Sequence, residues 1–446
     1  MNRALNESSG SVAVCFRRGD IFRGNLAARS NVTLTAYGIG GKPVICGSPE
    51  NGAEPGRWEK VPGTESIWKY KTPLRDVGTV FFNGGSYAAK RCPSIIGGSY
   101  EYGYEALENL QFISAVPAGD AISLNNSNAA EKTGYLYLRC DEGNPGEIYQ
   151  SVEFSERVYA ISLADGSENI TIDNLCITFG GAHGIAGSNI KNLLVQNCEL
   201  SFIGGGIQKY NYDSAKNAYI PARYGNGIEV NTSCDGYTVR SCFIHDIYDA
   251  GITHQVGNNH TADVEFNNVE YSGNLIENCT YSVEYFARPS VAYENGSSNA
   301  GTAEMNNILI KDNIMRFAGF GFGEQRTLTD WNMAAHIMGW NNSRNVSNGF
   351  VIESNVMDRC VYSNPSSAAK INSSFILVSA EKTEYLPEFK GNTYVHYSGS
   401  RFSYYGEYAL ADFNASCFTK FGFDTDVGEL LGDLNGKICV LEQPGG

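Results

Sequence analysis

The sequence predicts an all-β fold, a parallel β-helix solenoid, and three observations carry that prediction. Short β-branched strands recur along the second half of the chain, corresponding residues such as Asn174 and Asn197 lie 23 residues apart, and no helical periodicity separates the strands. A repeat in the twenties that is built from strands alone is typical of stacked coils. A leucine-rich horseshoe, the competing repeat, needs an LxxLxL signature with helical segments, and neither is present.

The repeat is clearest from about residue 168 onward. In each unit a β-branched strand ends in Asn or Ser, and a turn leads into a second strand that begins with Gly. The corresponding polar residues are Asn174, Asn197, Ser241, Asn274, Asn313 and Asn355. Their later spacings of 44, 33, 39 and 42 residues fit the same coil with loop insertions. Asparagine suits a stacked bend because it tolerates a left-handed backbone and its amide can bond to the coils above and below.

The remaining elements are assigned from the positions of strand-like runs. Residues 1–47 contain four such runs and are predicted as the first coils, and residues 151–400 are predicted as the main solenoid. Between them, residues 48–150 contain strands broken by Gly and Asn, which predicts a β-rich insertion packed on the flank. Residues 401–446 are predicted as a cap, in which TKFGFDTDVGELLG (419–432) protects the open end of the solenoid.

Composition and charge narrow the function classes. Of 446 residues, 50 are Gly and 13 are Pro, and charged residues make up 18%, which excludes disordered and collagen-like proteins. A net charge of -15 would repel nucleic acid. No apolar run reaches the roughly 18 residues that cross a bilayer, so we expect no membrane partner. The first residues lack an export signal, but the early strand VAVCF (12–16) is compatible with an internal start.

The motif search predicts neither a metal nor a cofactor. The twelve cysteines form no CxxC pair and no cluster with histidines, and we expect buried free thiols rather than a disulfide framework. No P-loop, GxGxxG turn, HExxH or GxSxG motif is present, and acidic patches lack EF-hand spacing. Nucleotide-binding, zinc-protease and α/β-hydrolase functions therefore lack support.

Alternation along the glycine-led strands predicts one outward strip. The residues taken to point inward, as a single aliphatic column, are Ile185, Ile207, Ile228, Ile252 and Val283. Because side chains alternate along a strand, the following residues then point outward together. These are Ala186, Gln208, Glu229, Thr253 and Glu284. Polar groups from distant parts of the chain therefore share one face of the central coils.

Six segments carry a resemblance to a known group of proteins. They are FRRGDIFRG (16–24), VTLTAYGIGGKPVI (32–45), LYLRCDEGNPGEIY (136–149), YGNGIEV (224–230), IYDAGITHQ (247–255) and NCTYSVEYFARP (278–289). The pattern, which covers most of residues 12–400, resembles the right-handed parallel β-helix proteins of the pectate-lyase-like superfamily. More narrowly, it is similar to bacterial β-helix repeat proteins of polysaccharide breakdown, including glycoside hydrolases. The resemblance implies right-handed coils and a carbohydrate context, and it names no substrate.

Glu229, Asp249 and Glu284 are the predicted catalytic residues. One coil lies between the two glutamates, so two steps of about 4.8 Å separate their backbones by about 9.6 Å. Carboxylates about 6.5–9.5 Å apart suit an inverting glycosidase, and about 5 Å suits a retaining one. Asp249 lies four residues before Thr253, and a bulge would bring it beside Glu229 as a close pair, so both geometries stay open. The competing interpretation is that each carboxylate is a solvated residue of a solenoid face.

Further residues near the strip are predicted to bind a glycan. They are Gln208, Tyr224, Tyr248, His254, Gln255, Arg288, Glu324, Arg326, His336 and Trp340. His254 is preferred over His183 for orienting substrate or moving a proton, because His183 precedes Gly184 and would fill the inner corner of a coil. Aromatic rings pack against the apolar faces of sugars, or against the scaffold itself. The candidate platforms, several of them in a tyrosine-rich insertion, are Tyr210, Tyr212, Tyr219, Trp331 and Trp340.

Three functions are compatible with these residues. The first is a glycoside hydrolase that cleaves a polysaccharide or oligosaccharide with a carboxylate pair, and acts outside the cell or at its surface as a monomer. The second is a polysaccharide lyase, in which Arg288 or Arg326 neutralises a uronate, although the acidic strip disfavours a polyanion. The third is a β-helical module that binds glycans without turnover. Product analysis separates them, because lysis creates an ultraviolet chromophore and hydrolysis creates only new reducing ends.

Overall fold

The computed structural model contains three parallel β-sheets wound around a common interior. It describes residues 2, 10–92, 95–96, 99–100, 103–115, 133–214, 218–296, 300–325, 334–340, 348–361, 375–378, 387–397, 403–404, 433 and 435–441. In each coil the chain passes from the first sheet to the second and the third, and then begins the next coil. The predicted fold class, an all-β right-handed parallel β-helix, is confirmed.

The strands of the three sheets pair in parallel. The first sheet consists of Leu26–Ala28, Ile161–Leu163, the first halves of Ile185–Gln196 and Ile228–Arg240, Ala250–Val256, Tyr281–Ala287, Ala335–Gly339, Ile376–Val378 and Ser403–Tyr404. The second consists of Val12–Arg17, Val32–Tyr37, Glu168–Asp173, the second halves of the two long strands, Val264–Ser272, Ala303–Lys311, Phe350–Glu353 and Glu388–Lys390. The third consists of Ile21–Arg23, Val44–Cys46, Cys176–Thr178, Glu199–Ile203, Phe243–Ile247, Leu275–Glu277, Ile314–Ala318, Val356–Cys360, Thr393–Tyr397 and Lys437–Leu441.

The solenoid interior is built from aliphatic columns. On the first sheet one column is in register and fully buried: Ile161, Ile185, Ile228, Ile252, Val283, Ile337 and Ile376. Burying such a side chain contributes about 1.5–3 kcal/mol relative to exposure, so each added coil extends the core. Ile207 is the exception to the predicted column, because it lies in an antiparallel hairpin formed by Gly206–Asp213 and Ala218–Tyr224.

A ladder of buried asparagines runs along the turn between the second and third sheets. Each side-chain amide donates to the Oδ1 atom of the next asparagine, at 2.9 Å from Asn274 to Asn313, 2.9 Å from Asn313 to Asn355 and 3.0 Å from Asn355 to Asn392. Each Oδ1 also accepts a main-chain N–H from the previous coil. The Asn392 amide donates in turn to the buried carboxylate of Asp433 at 3.0 Å.

The predicted alignment of the polar residues is wrong by one position across this ladder. Asn174, Asn197 and Ser241 occupy the left-handed position that precedes the inward residue, with φ of 61°, 53° and 53°. Asn274 is instead the inward residue itself, aligned with Cys242, whose N–H donates to its Oδ1 at 3.0 Å. Gly273, with φ of 62°, takes the left-handed position in that coil. Asparagine thus serves two distinct sites, which spacing alone does not separate.

The range predicted as an insertion contains mostly antiparallel sheets with a core of their own. Its strands are Trp58–Lys60, Ile67–Tyr70, Val77–Phe82, Tyr87–Ala88, Lys90–Arg91, Ile95–Ile96, Ser99–Tyr100, Gln111–Ala115 and Tyr135–Arg139, and Val152–Glu156 adds to Val77–Phe82. Short helices occupy Pro55–Arg57, Asn83–Gly85, Tyr104–Ala106 and Pro145–Ile148. The Phe81 ring packs against Phe179, Phe202 and Phe322 at 5.4, 5.4 and 5.1 Å, which fixes this unit on the solenoid.

The remaining elements are short. Helical turns occupy Val291–Glu294 and Phe322–Gln325. The segment predicted to cap the open end, 419–432, lies outside the described residues. Among the helices that the structure describes, each is too short or too polar to cross a membrane.

Candidate functional site

The outer face of the first sheet carries the residues that alternation predicts. One column runs through Ser162, Ala186, Glu229, Thr253, Glu284, Met338 and Leu377, in register from strand to strand. Glu229 and Glu284 therefore share a face, with Thr253 between them. Two steps of about 4.8 Å place the two backbones about 9.6 Å apart. The predicted member Gln208 is not in this column, because it lies with Ile207 in the hairpin.

Two further columns flank the carboxylates. Toward the start of each strand, the residues are His183, Asn226, Ala250, Tyr281 and Ala335. Toward the end, they are Ser188, Asn231, Gln255, Phe286 and Trp340. The strip formed by these three columns is polar around Glu229 and more apolar beyond Glu284. Both carboxylates are largely sheltered from solvent, with 7% and 5% of their surface exposed.

Three side-chain nitrogen atoms converge on the Glu229 carboxylate. Asn226 Nδ2 donates to Oε2 at 2.7 Å, and Asn231 Nδ2 donates to Oε1 at 3.4 Å. His183 Nε2 lies 3.4 Å from Oε2. Asn226 is itself fixed, because its Oδ1 accepts the main-chain N–H of Ala250 at 2.9 Å. The carboxylate therefore has a defined orientation that is tied to two neighbouring coils.

Aromatic rings surround the imidazole of His183. The ring of Tyr159 lies 5.1 Å from it, and the ring of Tyr224 lies 5.0 Å from it at 86°. Burial is the main cause that raises the pKa of Tyr224, and burial raises the pKa of Tyr159 to about 12. Both phenols therefore keep their protons at neutral pH. Tyr224, a predicted binding residue, thus lies beside the carboxylate site, and the guanidinium of Arg157 lies 5.9 Å from its ring.

Glu284 has a different environment. The indole N–H of Trp340, another predicted binding residue, donates to its Oε1 atom. The Trp340 ring packs edge-on against Tyr281 at 6.0 Å and 87°. Tyr281 belongs in turn to a buried apolar cluster with Ala250, Ala335, Met338 and Leu377. An aromatic, weakly polar wall therefore lies on the Glu284 side of the pair.

Asp249 lies at the entrance to its strand rather than in the carboxylate column. Its N–H donates to the carbonyl of Gly225 at 3.1 Å, and its carbonyl accepts the N–H of Tyr281 at 3.2 Å. This contact places Asp249 one coil away from Gly225, which directly precedes Asn226, and the residue is half-buried. Of the three predicted catalytic residues, the two glutamates share the column and Asp249 lies near its edge.

His254 requires a correction, because it lies in the solenoid interior. It follows Ile252 by two residues and is therefore inward, where its Nδ1 lies 2.8 Å from the Tyr271 hydroxyl. Its ring packs near Phe266, Tyr285 and other interior rings, and it has no exposed surface. In this position it cannot contact a substrate on the outer strip.

His336 also points inward and requires the same correction. It occupies a corner position that Gly184, Gly227, Gly251 and Ser282 fill in earlier coils, and its Nδ1 lies 3.1 Å from the Ser282 hydroxyl. Its side chain is fully buried. The prediction for His183 was wrong in the opposite direction. Gly184 fills the inner corner, and His183, which was expected there, faces outward beside Glu229.

The interior histidines predict a loss of stability in acid. Burial lowers the pKa of His254 to about 3 and that of His336 to about 4, below the ordinary 6.5. The neutral form in the folded chain therefore stabilises it above pH 6.5, and this stabilisation is lost as the pH falls from 6.5 toward those values. We expect His254→Gln to reduce the pH dependence of the unfolding free energy by about 1 kcal/mol per pH unit between pH 6 and 4. Urea unfolding at each pH measures it, and an unchanged slope would contradict the assignment.

The other predicted binding residues are dispersed. Gln255 is half-buried in the outer strip, and Arg288 follows its strand with the guanidinium 5.8 Å from the Phe286 ring. Tyr248 is fully buried, and the guanidinium of Arg223 lies 4.6 Å from its ring, so it is a packing residue. Gln208 and Glu324 are exposed, the first in the hairpin and the second in the Phe322–Gln325 turn.

Several of the predicted site residues lie outside the part of the chain that the structure describes. Arg326 and Trp331 lie outside the described residues, as do the side chains of Tyr210, Tyr212 and Tyr219. Within the described part of the chain, no three His, Cys, Asp or Glu side chains are arranged to hold a metal ion.

Sequence reasoning missed Asn226 and Tyr159 and ranked His183 too low. A usable signal was present for two of them: in AHGI, GNGI and DAGI the residue before the glycine occupies an equivalent outward position. Aligning these tetrapeptides places His183 and Asn226 beside the predicted carboxylate. Tyr159 has no such signal, because it precedes its strand and comes from the segment that leaves the insertion.

Comparisons with known proteins give distant similarities to solved structures. No protein-family model and no curated protein matches the chain. XylC in complex with xylose is 12% identical, with a TM-score of 0.37 over 99% of this chain and 79% of that chain. A glycoside hydrolase is 9% identical, with a TM-score of 0.41 over 91% and 88%. A family 28 exopolygalacturonase of Yersinia enterocolitica is 10% identical, with a TM-score of 0.38 over 100% and 75%. Similarities this low concern the fold alone, which the strand pairing of the chain itself establishes.

Proposed function

We propose that this protein is a glycoside hydrolase that cleaves a polysaccharide or oligosaccharide with inversion at the anomeric carbon. The observation that carries the proposal is the shared column of Glu229 and Glu284, two coils apart on one outer strip. A backbone separation of about 9.6 Å is compatible with the about 6.5–9.5 Å between carboxyl groups that admits a water molecule in inverting enzymes. Thr253, the residue between them in the column, has a short side chain that is fully buried, and its hydroxyl donates to Gln255 Oε1 at 3.2 Å.

The two environments support different roles. Three nitrogen atoms hold Glu229 in one orientation, which suits a base that must receive a proton from water along a fixed direction. Glu284 lies against the indole of Trp340 in a less polar surrounding, which suits the acid. In the proposed reaction Glu284 gives its proton to the glycosidic oxygen as the C–O bond breaks. Water forms the new bond to the anomeric carbon and loses its proton to Glu229.

The flanking rings support a sugar as ligand. Tyr159 and Tyr224 lie near Glu229, and Trp340 lies beside Glu284, so aromatic surface is available on both sides of the scissile position. Sugars present apolar C–H faces to such rings, and their hydroxyls bond to amides such as those of Asn231 and Gln255. Since glycan polymers of this kind lie outside cells, we place the enzyme outside the cell or at its surface.

The strip gives less support to a lyase. A lyase neutralises a uronate carboxylate with a cation before a base removes a proton. Among the described residues of the three outer columns, none is Lys or Arg, and two are glutamates. A neutral glycan is therefore the better match for the charge of this surface.

Incubation with a panel of neutral and acidic polysaccharides tests the proposal. We expect new reducing ends without an ultraviolet chromophore, and the first product seen by proton NMR should have the anomeric configuration opposite to that of the substrate. An unsaturated product absorbing in the ultraviolet would identify a lyase, and retained configuration would exclude the inverting mechanism. Binding without any turnover across the panel would leave only a glycan-binding role.

A further inference from the structure

We propose that His183 is the positioning residue for Glu229, and that the protein enforces the one neutral tautomer that can do this. The inference rests on the proposed function, because it assigns Glu229 a role in turnover. It adds a requirement that the carboxylate pair alone does not contain: for full activity the base needs an N–H donor at the position of His183 Nε2.

The tautomer follows from the main chain. The N–H of Asn226 donates to His183 Nδ1 at 2.9 Å, so Nδ1 acts as an acceptor and carries no proton. The ring proton of neutral His183 is then on Nε2, the atom that lies 3.4 Å from Glu229 Oε2. A proton on Nδ1 would point at the Asn226 N–H, so that two donors would face each other without an acceptor. The backbone of one coil thus selects the imidazole form whose Nε2–H lies beside the carboxylate of the same coil.

The position of the ring is fixed on all sides. The His183 carbonyl accepts the N–H of Ala160 at 3.0 Å, and the rings of Tyr159 and Tyr224 lie about its imidazole at 5.1 and 5.0 Å. Only 4% of the residue is exposed. A buried polar ring that serves packing alone needs no carboxylate beside its protonated nitrogen, and this one has Nε2 3.4 Å from Oε2 of the predicted base.

Asn226 connects the two contacts. Its main-chain N–H fixes the His183 tautomer, and its side-chain amide donates to the same Oε2 atom at 2.7 Å. His183 and Asn226 therefore approach one carboxylate oxygen together, whereas Asn231 donates to the other oxygen, Oε1, at 3.4 Å. In the proposed reaction Oε1 is the oxygen that accepts the proton from water.

Several other ionisable groups lie near the Glu229 carboxylate. Besides burial, which is the main cause, the Glu229 charge raises the pKa of Tyr159 in the segment before the first-sheet strand, of Tyr224 in the hairpin and of the interior Tyr237. The guanidinium of Arg157 lies 5.9 Å from the Tyr224 ring. Asp249 lies one coil away, and Glu284 lies two coils away. His183 is the group among these with a neutral N–H close to the carboxylate.

Two matched variants separate positioning from packing. His183→Asn keeps an oxygen that can accept the Asn226 N–H but cannot reach Glu229, whereas His183→Gln places an amide N–H near the position of Nε2. A hydrogen bond to a charged group contributes about 1.5–3 kcal/mol, so we expect kcat to fall about 10- to 100-fold in His183→Asn and to recover in large part in His183→Gln. KM should change little.

The pH profile of kcat is the readout that a structural role would not move. Losing an N–H donor disfavours the ionised form of the base. The acidic limb of the kcat profile should therefore move to higher pH by about one unit in His183→Asn, and it should lie near its wild-type position in His183→Gln. His245→Gln, on the third sheet, is the control for a lost histidine, and urea midpoints confirm that each variant is folded. A His183→Asn enzyme with wild-type kcat and an unmoved limb overturns the inference. If Glu229→Gln is itself fully active, the proposed function fails first.

Discussion

Glu229→Gln and Glu284→Gln should each lower kcat on a natural glycan by about 10²- to 10⁴-fold, the usual contribution of a general acid or base. Each change keeps the size and most hydrogen bonds of the side chain but removes the ability to exchange a proton. The two variants should differ when the leaving group is changed. A dinitrophenyl glycoside leaves without protonation, so Glu284→Gln should regain activity to within about tenfold of wild type, whereas Glu229→Gln should stay inactive because water still needs a base.

A matched control exists on the second sheet. Glu265 is an exposed carboxylate that accepts the Asn267 amide at 2.8 Å, and Glu265→Gln should leave activity on both substrates unchanged. Initial rates on the natural glycan and on the activated glycoside, with circular dichroism as a check of folding, give the comparison. Rescue of Glu229→Gln by the activated substrate, with no rescue of Glu284→Gln, would reverse the assigned roles. Full activity of either variant would remove the pair.

Asn313→Leu should destabilise the protein by about 4 kcal/mol, because it breaks the buried ladder at two of its links. Asn313 Oδ1 accepts the main-chain N–H and the side-chain amide of Asn274, and its own amide donates to Tyr271 and Asn355. Leucine has the right size but removes these four hydrogen bonds and leaves the buried main-chain N–H of Asn274 without its partner, and each buried group left unsatisfied costs about 1–3 kcal/mol. Urea unfolding followed by tryptophan fluorescence measures the change in the free energy of unfolding.

The same substitution at an outer asparagine is the control for that experiment. Asn267 is half-buried on the second sheet, where its Oδ1 accepts the Asn306 amide at 3.1 Å. Water can replace this bond, so Asn267→Leu should cost less than about 1 kcal/mol. Equal losses for the two variants would show that the inner ladder contributes no more than a surface one.

Much of the carboxylate column could be predicted from the sequence because a solenoid is nearly one-dimensional. Once Ile228, Ile252 and Val283 are aligned, alternation alone places Glu229 and Glu284 outward with one coil between them. The same rule, applied without exception, also places His254 inward, two residues after Ile252. The prediction of His254 as a binding residue gave more weight to the chemistry of histidine than to the inward direction that alternation assigns to this position.

The other errors come from features that periodicity does not encode. The sequence IGGGIQ, around Ile207, resembles a glycine-led strand of the solenoid. Its strand, Gly206–Asp213, pairs instead with Ala218–Tyr224 in an antiparallel hairpin, so Ile207 is not part of the parallel first sheet. At the corner where each first-sheet strand begins, two consecutive residues point inward, such as Ser282 and Val283, and alternation therefore misplaces His336. Tyr159 reaches the site only because the insertion returns the chain beside His183, a contact set by tertiary packing.

The most direct test of the central claim, that Glu229 and Glu284 act as one pair, is a double-mutant comparison. Residues that work in the same step are strongly non-additive, so the Glu229→Gln/Glu284→Gln enzyme should be no more than about tenfold slower than the slower single variant. The rate of release of reducing ends from the natural glycan, measured for all four proteins, gives the answer. Losses that multiply would show that the two carboxylates act independently, and this result would contradict their action as one pair.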